Sequence, residues 1–114
     1  SQGSIETSSV VIATGGLSIP KMGATDFGHR LAKQFGLRLT PMKPALVPIT
    51  LTESQERGFA DISGVSLDAV AGCRGVEFRE HILFTHRGLS GPAILQASSY
   101  WERGETMTLN LAPM

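Results

Sequence analysis

The sequence predicts an α+β chain: a mostly antiparallel, β-rich domain with one helix, preceded by a strand, loop and helix of the kind that builds a parallel α/β nucleotide-binding sheet. Three observations carry this. A continuous apolar, mostly β-branched run, Val10 to Ala13, stops at Thr14-Gly15-Gly16 and leads into a helical apolar spacing. Pro41, Pro44 and Pro48 then interrupt the chain so closely that neither a helix interior nor a central strand can pass. Beyond them, short apolar segments alternate with turn signals, the pattern of antiparallel strands. The predicted domains are residues 1–40 and 41–114.

Each element has its own reason. Val10 to Ala13 suits a strand buried on both faces. A helix follows, with Thr25 or Asp26 as its cap, Phe27, Leu31 and Phe35 on one face, and Gly36-Leu37 as a left-handed stop. A second strand is expected near Arg38 to Thr40. In the second domain, strands are expected at Leu46 to Leu51, Val65 to Ala71, Val76 to Phe78, His81 to Thr85 and Thr106 to Leu111, with turns at "GCRG" and "ERGE". Glu53 to Phe59 is polar enough for one helical turn. Gly91 to Trp101 is the second domain's helix: Ser90 or Gly91 caps it, Pro92 sits near its first position, and Ile94, Ala97, Ser98 and Trp101 share a face.

Composition bounds the function. Ten basic and ten acidic side chains cancel, so no global field favours nucleic acid or an anionic membrane. The apolar runs fall far short of the roughly 20 residues needed to span a bilayer, and no leader precedes them. The expectation is a cytoplasmic chain. The lone Cys73 excludes an intrachain disulfide or a paired-cysteine metal knuckle. Ser1 in place of an initiator methionine, and strand-like runs close to both ends, lead us to expect an internal piece of a longer protein.

Two motifs invite chemistry. In "VVIATGG" a strand ends on glycines that let the backbone approach a ligand, although Gly-Gly after a strand also makes an ordinary turn. Neither G-x-G-x-x-G nor a P-loop is present, so a nucleotide's main phosphate cradle would lie outside this chain. In "FTHRGLSGP", Ser90 lies near His86 and Arg87. A nucleophile elbow needs glycines two before and two after the serine, and position 92 is proline, so a helix cap is the better reading. Arg87 remains a candidate anion contact. His29, His81 and His86 lack metal-ligand spacing and read as surface or loop residues; no metal is expected. Arg30, Lys33, Arg38 and Lys43 read as a solvated basic stretch. Trp101 reads as core, and Cys73 as a turn cysteine beside Arg74.

"VIATGGLSIPKMGATDFGHRLAKQFG", "ALVPITL" and "LFTHRGLSGPAILQASSYW" together resemble the BaiN-like bacterial flavoproteins, a family of NAD(P)/FAD-dependent oxidoreductases. The likeness runs from about Ser9 onward and rests on three separated blocks in the family's order. It implies an α/β FAD domain interrupted by a β-rich insertion, and FAD as cofactor of the complete protein, with none retained by this chain alone. By position it implies that Ala13, Thr14, Gly15 and Gly16 neighbour FAD, and that Ser18, Pro20 and Gly23 form the following loop near the flavin. Related flavoproteins often carry Thr-Gly-Asp-Gly at the helix start, where this chain has Thr25, Asp26, Phe27 and Gly28, which removes an acid that could face the cofactor. The resemblance names no catalytic residue and gives "THRGLSGP" no role. The expected function is the middle portion of an FAD-dependent oxidoreductase, without catalysis of its own, whose inserted domain covers the flavin or substrate pocket. Its partners would be the remaining FAD-domain segments, or a second copy through the exposed α/β remnant; neither nucleic acid nor membrane is expected. The alternative is a non-enzymatic β-rich interaction or dimerisation module.

Overall fold

The computed structural model describes residues 3–114. The chain divides into two compact units, the first ending at Met42 and the second running from Lys43 to Met114. The architecture is α+β with an antiparallel sheet, as the sequence predicts.

In the first unit, the residues from Val10 to Ala13 form no strand. A strand is defined by the ladder it shares with a neighbour, and none pairs with this run among the described residues. The residues near Arg38 to Thr40 are likewise irregular, for the same reason. A short 3-10 turn, Pro20–Met22, closes on Gly23, whose φ of 86° and N–H to the Pro20 carbonyl (3.0 Å) need a residue without a Cβ. Helix α1 spans Phe27–Gln34. Its end is a Schellman stop: the Gly36 amide donates to Lys33 O and the Leu37 amide to Ala32 O, both at 3.0 Å, with Gly36 at φ 75°. Its start uses both expected residues: Asp26 holds the N-cap position without a side-chain cap bond, its carboxylate pairing with Arg30 one turn on at 3.0 Å, and the Thr25 hydroxyl accepts from the Phe27 amide at 3.4 Å.

The second unit is a five-stranded antiparallel sheet with one helix on its face. The strands are β1 (Ile49–Thr50), β2 (Ser66–Cys73), β3 (Val76–Thr85), β4 (Gly88–Ser90) and β5 (Thr108–Asn110), ordered β1-β4-β3-β2-β5. Helix α2 (Glu53–Phe59) runs into a 3-10 turn, Ala60–Ile62, and helix α3 spans Pro92–Ser98. The "GCRG" signal makes a two-residue hairpin: Arg74 and Gly75 both have positive φ (53° and 78°), matching the twist of the flanking strands, and Cys73 pairs with Val76. The segments expected at 76–78 and 81–85 are one strand. Arg79 does not break it, because its guanidinium reaches Asp68 on β2 at 3.0 Å. The strand expected over Leu46 to Leu51 shrinks to two residues, since Leu46 turns to φ 55° and Pro48 has no N–H to give.

The core follows from alternation. Ala69, Ala71, Ile82, Phe84 and Leu89 point to one face and meet Ala93, Ile94 and Ala97 of α3. Alanines on both surfaces let the helix approach the sheet closely, and the larger Ile82 and Ile94, both fully buried, fill the remaining space. Each isoleucine contributes roughly 2 kcal/mol through burial. Phe59 from α2 stacks on Phe84, ring centres 5.4 Å apart. Trp101 lies beyond the end of α3, half-buried, and donates its indole N–H to the Glu105 carbonyl at 2.7 Å.

Candidate cofactor-binding site

The Thr14-Gly15-Gly16 turn lies in the first unit. Gly15 has φ 70°, a conformation that L side chains avoid, and nothing stands within 4 Å of where its Cβ would be. Its backbone is exposed. Helix α1 lies against the extended segment at Gly28: an added Cβ there would stand 3.4 Å from Ile12 Cγ2 and 3.5 Å from Thr14 Oγ1. Gly28 and Ala32, one helical turn apart, thus let the helix lie close behind the turn.

A cleft of about 370 Å³ opens here, lined by Ile12, Thr14, Gly15, Gly28, His29, Ala32 and Leu39. No Lys, Arg, Asp or Glu lines it; its polar side chains are Thr14 and His29. Of the residues singled out in the sequence, Thr14 and Gly15 line the cleft. Ala13 is an exposed neighbour in the extended segment, and Gly16 sits over the His29 ring, where an added Cβ would be 3.6 Å from Cε1. Ser18, Pro20 and Gly23 form the exposed turn that follows and do not line the cleft.

His29 escaped the sequence reading, which placed it on the surface. It is half-buried on α1, and its Nδ1 is shielded from solvent without a hydrogen-bond partner among the described residues. A buried polar atom left unpaired costs about 1–3 kcal/mol, which a bound water or a ligand group would relieve. The Gly28/Ala32 pair was the one signal that marked this helix face as closely packed. Beside the cleft lies an apolar groove of about 580 Å³ lined by Val10, Ile12, Leu31, Phe35 and Leu37 among others. Val10, Val11 and Phe35 are 71%, 88% and 75% exposed, far more than a packed α/β layer allows.

The "THRGLSGP" block belongs to the second unit, and its geometry is structural. Thr85 donates its hydroxyl to Gly88 O at 3.0 Å across the β3–β4 turn. Ser90 is a β4 residue opposite Leu83, not a helix cap: Gly91 holds the N-cap position, with φ 94° and no side-chain bond. An added Cβ on Gly91 would fall 2.7 Å from His81 O. Cys73 is buried at the end of β2. Among the described residues no three His, Cys, Asp or Glu side chains gather as metal ligands, and no helix is long and apolar enough to cross a membrane.

Residues 43–114 match the family profile described as the HI0933-like protein barrel and H2TH domain. The chain is 50% identical over 105 residues to the ribosomal RNA dihydrouridine synthase of Escherichia coli K12, which covers 91% of this chain and 26% of that protein. It is 44% identical to the Haemophilus influenzae protein of the same name, with the same coverage. It is 32% identical over 100 residues to the 3-dehydro-bile acid delta(4,6)-reductase of Clostridium scindens, covering 83% of this chain and 24% of that protein. The chain therefore spans about a quarter of the length of the curated relatives it matches.

Proposed function

We propose that this chain, which belongs to the HI0933-like protein family, is the middle portion of an FAD-dependent reductase that saturates a carbon–carbon double bond. The family is associated with FAD-binding flavoproteins. Dihydrouridine is uridine with its pyrimidine double bond reduced, and a delta(4,6)-reductase also removes unsaturation, so two differently named relatives share one reaction class. The two more similar relatives favour a uridine of ribosomal RNA as substrate. A BaiN-like activity on a steroid enone is the finer alternative within that class.

The observation that carries the cofactor assignment is the open Thr14-Gly15-Gly16 turn backed by Gly28. Ala13, Thr14, Gly15 and Gly16 would form one wall of the FAD site, and Ser18, Pro20 and Gly23 the loop beside it. The residues fit the group: Gly15 is exposed with open space where a Cβ would be, and Thr14 adds a hydroxyl beside it. With no Lys or Arg lining the cleft, the neutral, hydroxyl-bearing part of the dinucleotide suits it better than the pyrophosphate. Bound FAD supplies the two-electron redox chemistry, while the protein supplies binding, orientation and exclusion of water. The uncovered apolar groove is the surface against which the remaining FAD-domain segments would pack, burying Val10, Val11 and Phe35.

The test is the visible spectrum of the purified full-length protein, and the dihydrouridine content of ribosomal RNA from cells lacking it. We expect flavin absorbance, and loss of a dihydrouridine that returns on complementation. Absence of flavin would overturn the cofactor assignment; unchanged ribosomal RNA would shift the substrate to a small enone. The same exposed groove favours a second reading, a homodimerisation module. Light scattering of the full-length protein decides it, since a monomer with bound flavin removes the need for a second copy.

A further inference from the structure

The second unit holds a cleft of about 420 Å³, lined by Leu51, Glu53, Arg57, Phe59, Thr85, His86 and Gly88. His86 lines it from the tip of the β3–β4 turn, Arg87 beside it in the chain is exposed, and the backbone there is held by the Leu51 amide donating to Arg87 O at 3.0 Å. The cations of this unit fall into two groups. Lys43 and Arg74 pair with Glu102, Arg74 also with Glu105, and Arg79 with Asp68. Arg57, Arg87 and Arg103 have no carboxylate within 4.0 Å among the described residues, and of these Arg57 lines the cleft, with Glu53 one helical turn before it on the same lining. The Arg57 guanidinium and the His86 imidazole therefore line one concavity with an apolar floor at Phe59, and the exposed Arg87 follows His86 in the turn. Guanidinium groups bind phosphate oxygens through paired N–H donors.

We propose that Arg57, Arg87 and His86 form a phosphate-binding site that seats the substrate's polynucleotide backbone, outside the cofactor turn. This rests on the ribosomal RNA reading given above. Phosphate is also carried by a nicotinamide dinucleotide, so the experiment separates the two sources. The chain's zero net charge does not oppose it, since a backbone contact needs only local cations whose counterions are released on binding.

The test uses the full-length protein and the double variant Arg57→Gln, Arg87→Gln, beside Arg103→Gln, which removes a cation elsewhere in the unit. Fluorescence anisotropy with a labelled ribosomal RNA fragment is read across a salt series, together with flavin content and KM for NADH and NADPH. We expect the double variant to bind RNA about tenfold or more weakly and to flatten the salt dependence by one to two phosphate contacts, with flavin content and the nicotinamide KM unchanged. Arg103→Gln should leave all four readouts alone. Unchanged RNA affinity and salt slope in a flavin-loaded double variant overturns the site while leaving the reductase reading intact. A raised nicotinamide KM with unchanged RNA binding overturns it in favour of the dinucleotide's phosphate. A wild-type protein that binds no RNA at all defeats the substrate reading itself, and the site with it.

Discussion

Gly88, opposite Thr50 in the β1–β4 ladder, lies so close to the Ile49 carbonyl that a Cβ on it would stand 2.1 Å from that oxygen. Gly88 also has φ 149°. Gly88→Ala therefore meets both a steric clash and backbone strain, and is expected to cost about 3 kcal/mol. Urea unfolding checks it; a loss below about 1 kcal/mol would mean that β1 moves aside freely.

Ile94 of α3 is fully buried in the core cluster, where four alanines are too short to collapse into the void its loss would leave. Ile94→Ala is expected to destabilise the second unit by about 3–4 kcal/mol. A surface-like cost under 1 kcal/mol in the same unfolding experiment would contradict that packing.

Gly28 separates two steric demands. Its Cβ position has ordinary contact distances, so Gly28→Ala is expected to be tolerated and to gain up to about 1 kcal/mol in helix propensity. Gly28→Leu would drive Ile12 and Thr14 off the helix and lower flavin content of the full-length protein several-fold. Equal flavin in both variants would detach the helix from the cofactor turn.

Glu102 is held below its ordinary value of 4.5, first by the Lys43 hydrogen bond, then by the charges of Lys43 and Arg74. A carboxyl with a lowered folded pKa adds stability above pH 4.5 and loses it as pH falls through that value and on through the lower one. Because Glu102 is exposed, the effect is small. Glu102→Gln is expected to lower Tm slightly at pH 7 and to differ less from wild type at pH 3. A Tm difference independent of pH would sink the account.

The hairpin of β2 and β3 was legible because two signals agreed: alternating apolar residues on both sides, and Arg74-Gly75 where a tight turn must fall. The Gly88–Ser90 strand was not, since three residues beginning with glycine carry no periodicity and are strand only because β1 and β3 flank them. Val10 to Ala13 shows the converse. Its β-branched residues favour extended backbone, but a ladder needs a second strand, which no local pattern supplies. The Thr14-Gly15-Gly16 turn was readable as a motif. His29 was not, because a solitary histidine on a short helix is indistinguishable from a surface one until its neighbours are placed.

The tight turn at Arg74-Gly75 also bears on time. Eight residue pairs of β2 and β3 close through the shortest of loops, so their contact order is low, whereas β1 and β5 join from more distant sequence. The central hairpin is therefore expected to be the earliest assembled part of the second unit, with amides protected in pulse-labelled hydrogen exchange before those of β5. On a ribosome it would emerge from the exit tunnel ahead of α3 and β5.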